Sequence, residues 1–120
     1  MDKTLHMTML FDFFGELLTK KQREYFDLYY NENLSLSEIA ENEGISRQGV
    51  RDIIVRAESI LLNTESKTGI VKRYIEMQGD IAVIEGYIRE ISVLNQSRFK
   101  NGRLQELSNN IYERLQLLKS

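Results

Sequence analysis

An all-α fold is predicted by three features of this chain. None of its 120 residues is proline, so no helix is interrupted by a missing N–H. Serine or threonine followed three residues later by glutamine or glutamate, the reciprocal capping pattern of helix starts, occurs at Thr19/Gln22 and Ser35/Glu38. Apolar residues recur at three- and four-residue steps, and no stretch alternates as a half-buried strand would.

The elements follow in order. Residues 5–18 (LHMTMLFDFFGELL) are apolar nearly all round, which predicts a helix buried in the core or shared with a partner. Thr19 caps a second helix, KKQREYFDLYY, with Tyr25, Phe26, Leu28 and Tyr29 available for the core. Asn31, Glu32 and Asn33 form a turn. Ser35 opens a short third helix that buries Leu36, Ile39 and Ala40. Gly44 stands where a helix ends on a left-handed residue, a conformation cheap only for glycine. Ile45 then turns inward and Ser46 caps a fourth helix reaching to about Leu62. Residues 63–69 (NTESKTG) are polar, β-branched or glycine and read as a connector or frayed stretch.

Beyond it, Ile70, Tyr74, Met77, Ile81, Ile84, Ile88 and Ile91 form a heptad seam, with Gly79 and Gly86 on its outer face. Residues 97–102 turn the chain. Leu104, Leu107, Ile111, Leu115 and Leu118 mark a last, shorter helix. The predicted organisation is a helix-turn-helix domain over residues 1–62 and a C-terminal helical element over 63–120, one long helix and one short, for packing or dimerisation.

Composition narrows the function. Without cysteine, the chain has no disulfide, thiolate metal site or cysteine nucleophile, and a cytoplasmic setting is expected. No apolar run approaches a membrane span, so no membrane insertion is expected, and Asp2 beside Lys3 does not open a signal peptide. His6 is the only histidine, which leaves no histidine pair for a metal and no Ser–His–Asp triad. Glu38, Glu41 and Glu43 on a short surface helix read as solvated carboxylates. There is no phosphate-cradling glycine loop. Neither a cofactor nor catalysis is predicted.

What remains is recognition. A helix, a glycine-containing turn and a second helix is the unit that sets a recognition helix into the DNA major groove. At roughly 100° per residue, Val50, Ile53, Ile54, Ala57 and Leu61 share one face of the fourth helix and anchor it. Gln48, Arg51, Asp52 and Val55 share the other, with Arg47 at the leading edge. That outward set holds base-reading chemistry: arginine for guanine, glutamine for adenine, aspartate for the cytosine amine, an apolar tip for the thymine methyl. The free N–H groups at the caps Ser35 and Ser46 suit phosphate oxygens, as do Lys20 and Lys21, and Gly49 lets a backbone come close. The opposing observation is charge. Residues 1–60 hold 7 Lys+Arg against 11 Asp+Glu, a balance of −4, whereas residues 61–120 hold 9 against 7, a balance of +2. Nucleic-acid binders ordinarily carry a basic field.

The stretch SLSEIAENEGISRQGVRDIIVRAE resembles the promoter-reading C-terminal domain of bacterial sigma factors. With the preceding residues, LFDFFGELLTKKQREYFDLYYNENLSLSEIAENEGISRQGVRDII looks like the YlxM-like family of helix-turn-helix proteins, over residues 10–60. That resemblance implies a small, all-helical, dimeric bacterial protein. Such proteins are typically encoded beside the signal recognition particle GTPase, which implies a regulatory or accessory role in that pathway. It carries the recognition positions onto Ser46, Arg47, Gln48 and Arg51. Two functions are therefore expected: a homodimeric DNA-binding regulator, or an accessory factor for the signal recognition particle, through its protein or its RNA.

Overall fold

The computed structural model describes residues 2–119 and contains, among them, helices and turns with no strand. Six α-helices run in order: α1 (Lys3–Phe14), α2 (Lys20–Tyr30), α3 (Leu36–Glu43), α4 (Arg47–Thr68), α5 (Ile70–Leu94) and α6 (Gly102–Leu118). The contacts divide the chain into two compact units, Met1–Val71 and Lys72–Ser120.

In the first unit each helix starts where its cap dictates. Thr19 Oγ1 accepts from the Gln22 N–H (3.2 Å) while Gln22 Oε1 accepts from the Thr19 N–H (2.9 Å). Ser35 and Glu38 repeat this exchange at 3.0 and 3.1 Å. Asp2 caps α1 through the Leu5 N–H. Two buried clusters hold the unit together. Met7, Leu10 and Phe14 of α1 meet Phe26 of α2 and Ala57 and Leu61 of α4, closed by Leu18 and Val71. Tyr25, Ile39, Ala40, Val50 and Ile54 form the second, between α2, α3 and the first half of α4. Phe11 stacks on Phe26 with ring centroids 4.7 Å apart. Fully enclosed in both respects, Phe26 is the side chain whose truncation should cost most, about 3–5 kcal/mol.

Three expectations change. The first helix is shorter than 5–18: it ends at Phe14 and passes into a 3-10 turn, Gly15–Leu17. Its all-round apolarity is not all buried, because Leu5 (50% exposed) and Leu17 (61%) face outward. Tyr29 does not enter the core; Tyr30 takes that place, half-buried between the two clusters. Finally, residues 63–68 are helix rather than connector. The hydroxyls of Thr64 and Thr68 bond the Ile60 and Thr64 carbonyls four residues back, so their polar groups are satisfied inside the helix. Termination waits for Gly69, left-handed at φ 64°, whose N–H bonds Glu65 O at 2.8 Å. Since Val71 is buried with the first cluster, that unit extends beyond residue 62.

The second unit is an antiparallel helical hairpin. α5 passes into a π-helical turn (Asn95–Phe99) and reverses through left-handed Lys100. Buried Asn95 holds the reversal: its amide donates to Asn101 O and Gln105 Oε1, and its own oxygen accepts the Asn101 N–H at 2.9 Å. The apolar core between α5 and α6 is small, Ile81, Ile88 and Leu115. Glu85 is buried beside it, taken by Gln116 and, at 3.2 Å, by Lys119. The bond from Lys119 holds the Glu85 carboxyl below the usual carboxylate range. Of the predicted seam, Ile81 and Ile88 are inside, whereas Met77, Ile84 and Ile91 are exposed.

Candidate nucleic-acid interface

The α3–α4 turn is built by three local devices. Gly44 closes α3 in the left-handed region (φ 69°), and its N–H and that of Ile45 both bond Ala40 O. Ser46 then starts α4, its Oγ accepting the Gly49 N–H at 3.0 Å. A Cβ on Gly49 would stand 3.1 Å from that hydroxyl, so the glycine there keeps the cap unobstructed, a local role beside the close approach expected of it. Ile45, expected to turn inward, is instead about a third exposed.

From this start α4 presents two faces. Val50, Ile54, Ala57 and Leu61 are buried, and Ile53 is half-buried. Arg47, Gln48, Arg51, Asp52 and Val55 are exposed together on the outer side. Within that side the Gln48 amide donates to Asp52 at 2.9 Å across one helical turn. Gln48 therefore keeps its acceptor and one of its two amide hydrogens for a base edge, while the bond to Asp52 fixes the direction in which the amide points.

Folding adds residues that the motif did not contain. Arg51 and Val55 border a hollow whose other walls are Leu36, Tyr29, Tyr30 and Lys3. Lys3, Tyr29 and Tyr30 continue into a second hollow, lined also by Thr4, that reaches Asn33 and the α3 cap Ser35. Arg51 and Ser35 thus border one continuous surface, with Lys3 and Tyr29 between them. Beneath it lies the Glu58 carboxylate, 15% exposed, which accepts the Tyr30 hydroxyl (2.5 Å) and pairs with Lys3 Nζ (3.5 Å). Burial, and then the bond to Glu58, push the Tyr30 hydroxyl well above its ordinary value, so it stays a neutral donor. At the α3 start, bonds from Ser35 hold Glu38 below the usual carboxylate range.

Lys20 and Lys21 are exposed at the opposite end of α2 from Tyr29, about 13 Å along the helix. They lie apart from the hollow that joins Arg51 to Ser35. Lys3, Thr4 and Tyr29 escape the sequence pattern because they reach the motif only through packing of α1 and α2 on α4. Among the described residues no group of three His, Cys, Asp or Glu could hold a metal ion, and no helix is long and apolar enough to cross a membrane.

Comparison with known proteins also returns a helix-turn-helix family. Residues 1–97 match the family model described as "Putative helix-turn-helix protein, YlxM / p13 like". The chain belongs to this family. Among YlxM-like relatives, a UPF0122 protein of Thermoanaerobacter sp. is 51% identical over 84 residues, 70% of this chain and 72% of the relative. One of Acetivibrio thermocellus is 42% identical over 97 residues, covering 81% and 83%. One of Bacillus thuringiensis is 43% identical over 96 residues, covering 80% and 87%. The family match spans the YlxM-like helix-turn-helix and α5; α6 lies beyond it.

Proposed function

We propose that this YlxM-like protein is a DNA-binding regulator with no chemistry of its own, acting as a homodimer through its apolar helix faces. One observation carries the reading: Arg47, Gln48, Arg51, Asp52 and Val55 are exposed together on α4, and two of them, Arg51 and Val55, border a hollow that shares Lys3 and Tyr29 with the hollow at the Ser35 helix start. Ser46, Arg47, Gln48, Arg51, Asp52 and Val55 face base edges. The helix starts at Ser35 and Ser46, with Lys3, Lys20 and Lys21, face phosphates. The acidic balance of residues 1–60 keeps the affinity low.

That same charge favours a second reading. An accessory factor for the signal recognition particle, contacting its protein or its RNA, would need no basic field around α4, and the positive balance lies instead in residues 61–120. Selection from random duplexes, run beside capture of cellular RNA and protein, separates the two. Enrichment of a motif that Arg51→Ala loses supports the regulator. No motif, with capture of the particle's RNA or its GTPase unaffected by Arg51→Ala, supports the accessory factor.

A further inference from the structure

The outward row of α4 continues past Val55. Arg51, Val55 and Glu58 follow one another by four and three residues, so they share one row of the helix, and all three border the same hollow. The charged residues around that hollow are Lys3, Arg51 and Glu58, and they are unequally engaged. Arg51 carries no ion pair among the described residues. Lys3 does. Its ammonium lies 3.5 Å from Glu58 Oε2, the same oxygen that accepts the Tyr30 hydroxyl at 2.5 Å. The Glu58 side chain is 15% exposed and held from α2 by Tyr30, whereas the Lys3 side chain, 77% exposed, reaches it from the first turn of α1. A fixed anion therefore holds the lysine that faces phosphate in the proposed interface.

A phosphate oxygen and a carboxylate oxygen accept from the same ammonium, and Lys3 can keep both only by drawing two negative groups together, which Coulomb repulsion opposes. We propose that Glu58 is an intramolecular competitor for Lys3, a residue that subtracts from backbone contact until a duplex phosphate displaces it. The inference deepens the DNA-binding reading and rests on it. It also gives part of the acidic balance of residues 1–60 a place and a task. Its cost falls on Lys3, whose contact with phosphate is common to every sequence, and leaves unpaired Arg51 open to the bases. Asp52 treats one amide hydrogen of Gln48 in the same way, within a single helix. Glu58 does so across three helices, since Lys3, Tyr30 and Glu58 come from α1, α2 and α4.

The test is binding of the full chain, freed of any tag, to a mixed-sequence DNA duplex at low salt. Glu58→Gln keeps an oxygen for the Tyr30 hydroxyl and removes the charge that holds Lys3. It should bind tighter by up to about five-fold, the range set by one exposed ion pair, with helical circular dichroism unchanged. In a Lys3→Ala background the same change should gain about two-fold or less, because the competition has lost its object. Glu16→Gln removes equal charge at the far end of α1 and should stay near wild type. Tyr30→Phe supplies the arm that stands even if Glu58→Gln fails to fold. It leaves Glu58 Oε2 to Lys3 alone, so it should weaken binding. A merely structural brace would move Glu58→Gln and Tyr30→Phe in one direction; a competitor moves them in opposite directions. Equal gains from Glu58→Gln with and without Lys3, no gain at all, or tighter binding by Tyr30→Phe overturns the competitor and leaves the DNA-binding reading in place. No duplex binding by wild type or by any variant overturns both.

Discussion

Gln48 is held by Asp52 in the free protein, and that pairing decides what substitution at either position should do. Asp52→Ala releases the Gln48 amide and removes a negative charge from the outer face of α4. Binding to every duplex should strengthen, and the preference at the base facing Gln48 should sharpen toward adenine, as read by competition binding across single-base variants. Arg51→Ala should instead lose about 1–3 kcal/mol on the selected site and flatten preference at one base position. Lys3→Ala should weaken all sequences alike and lower the slope of log affinity against log salt by about one, as should Lys20→Ala if phosphate contact extends to the start of α2. The two lysines differ in what else they do. Lys3 also pairs with the largely buried Glu58, so its removal should lower the melting temperature, while removal of exposed Lys20 should not.

At the scale of elements, the turn between α3 and α4 is the part most fully determined by local chemistry. Gly44→Val forces a β-branched residue into the left-handed region and should cost about 1 kcal/mol or more, seen as a lower thermal midpoint, although a Cβ there meets nothing. The Ser35–Glu38 cap gives a pH signature. The Glu38 carboxyl is held below its unfolded value, so its contribution is complete above the usual carboxylate range and is lost as pH falls through the lowered value. Glu38→Ala should therefore melt below wild type at pH 7 and converge with it in acid. Caps, turn and inward face of α4 were legible in the sequence because each depends on residues within one or two helical turns. The end of α4 was not, since the threonines of NTESKT satisfy their hydroxyls on the helix carbonyls instead of breaking it. Nor were Lys3, Thr4 and Tyr29 legible as part of the candidate interface, for only the packing of α1 and α2 brings them there.

For the whole molecule, charge and assembly act together. On the proposed reading, one recognition helix in a unit of balance −4 would bind weakly, and a dimer offering two of them would gain by making the second contact intramolecular. Two half-sites about 34–36 Å apart, one duplex turn or a multiple of it, are the expected spacing. Duplexes carrying paired half-sites at varied spacings should show an affinity maximum at such a separation.

The position of Lys3 has a practical consequence for anyone handling the protein. Lys3 and Thr4, in the first turn of α1, already line the hollows that border Arg51 and Ser35. A purification tag fused ahead of that turn would emerge at the mouth of the surface under test. A histidine tag would add its own titratable charge there, and capture of nucleic acid by such a fusion would measure tag and protein together. Cleaving the tag before any binding experiment is thus a requirement set by where α1 begins.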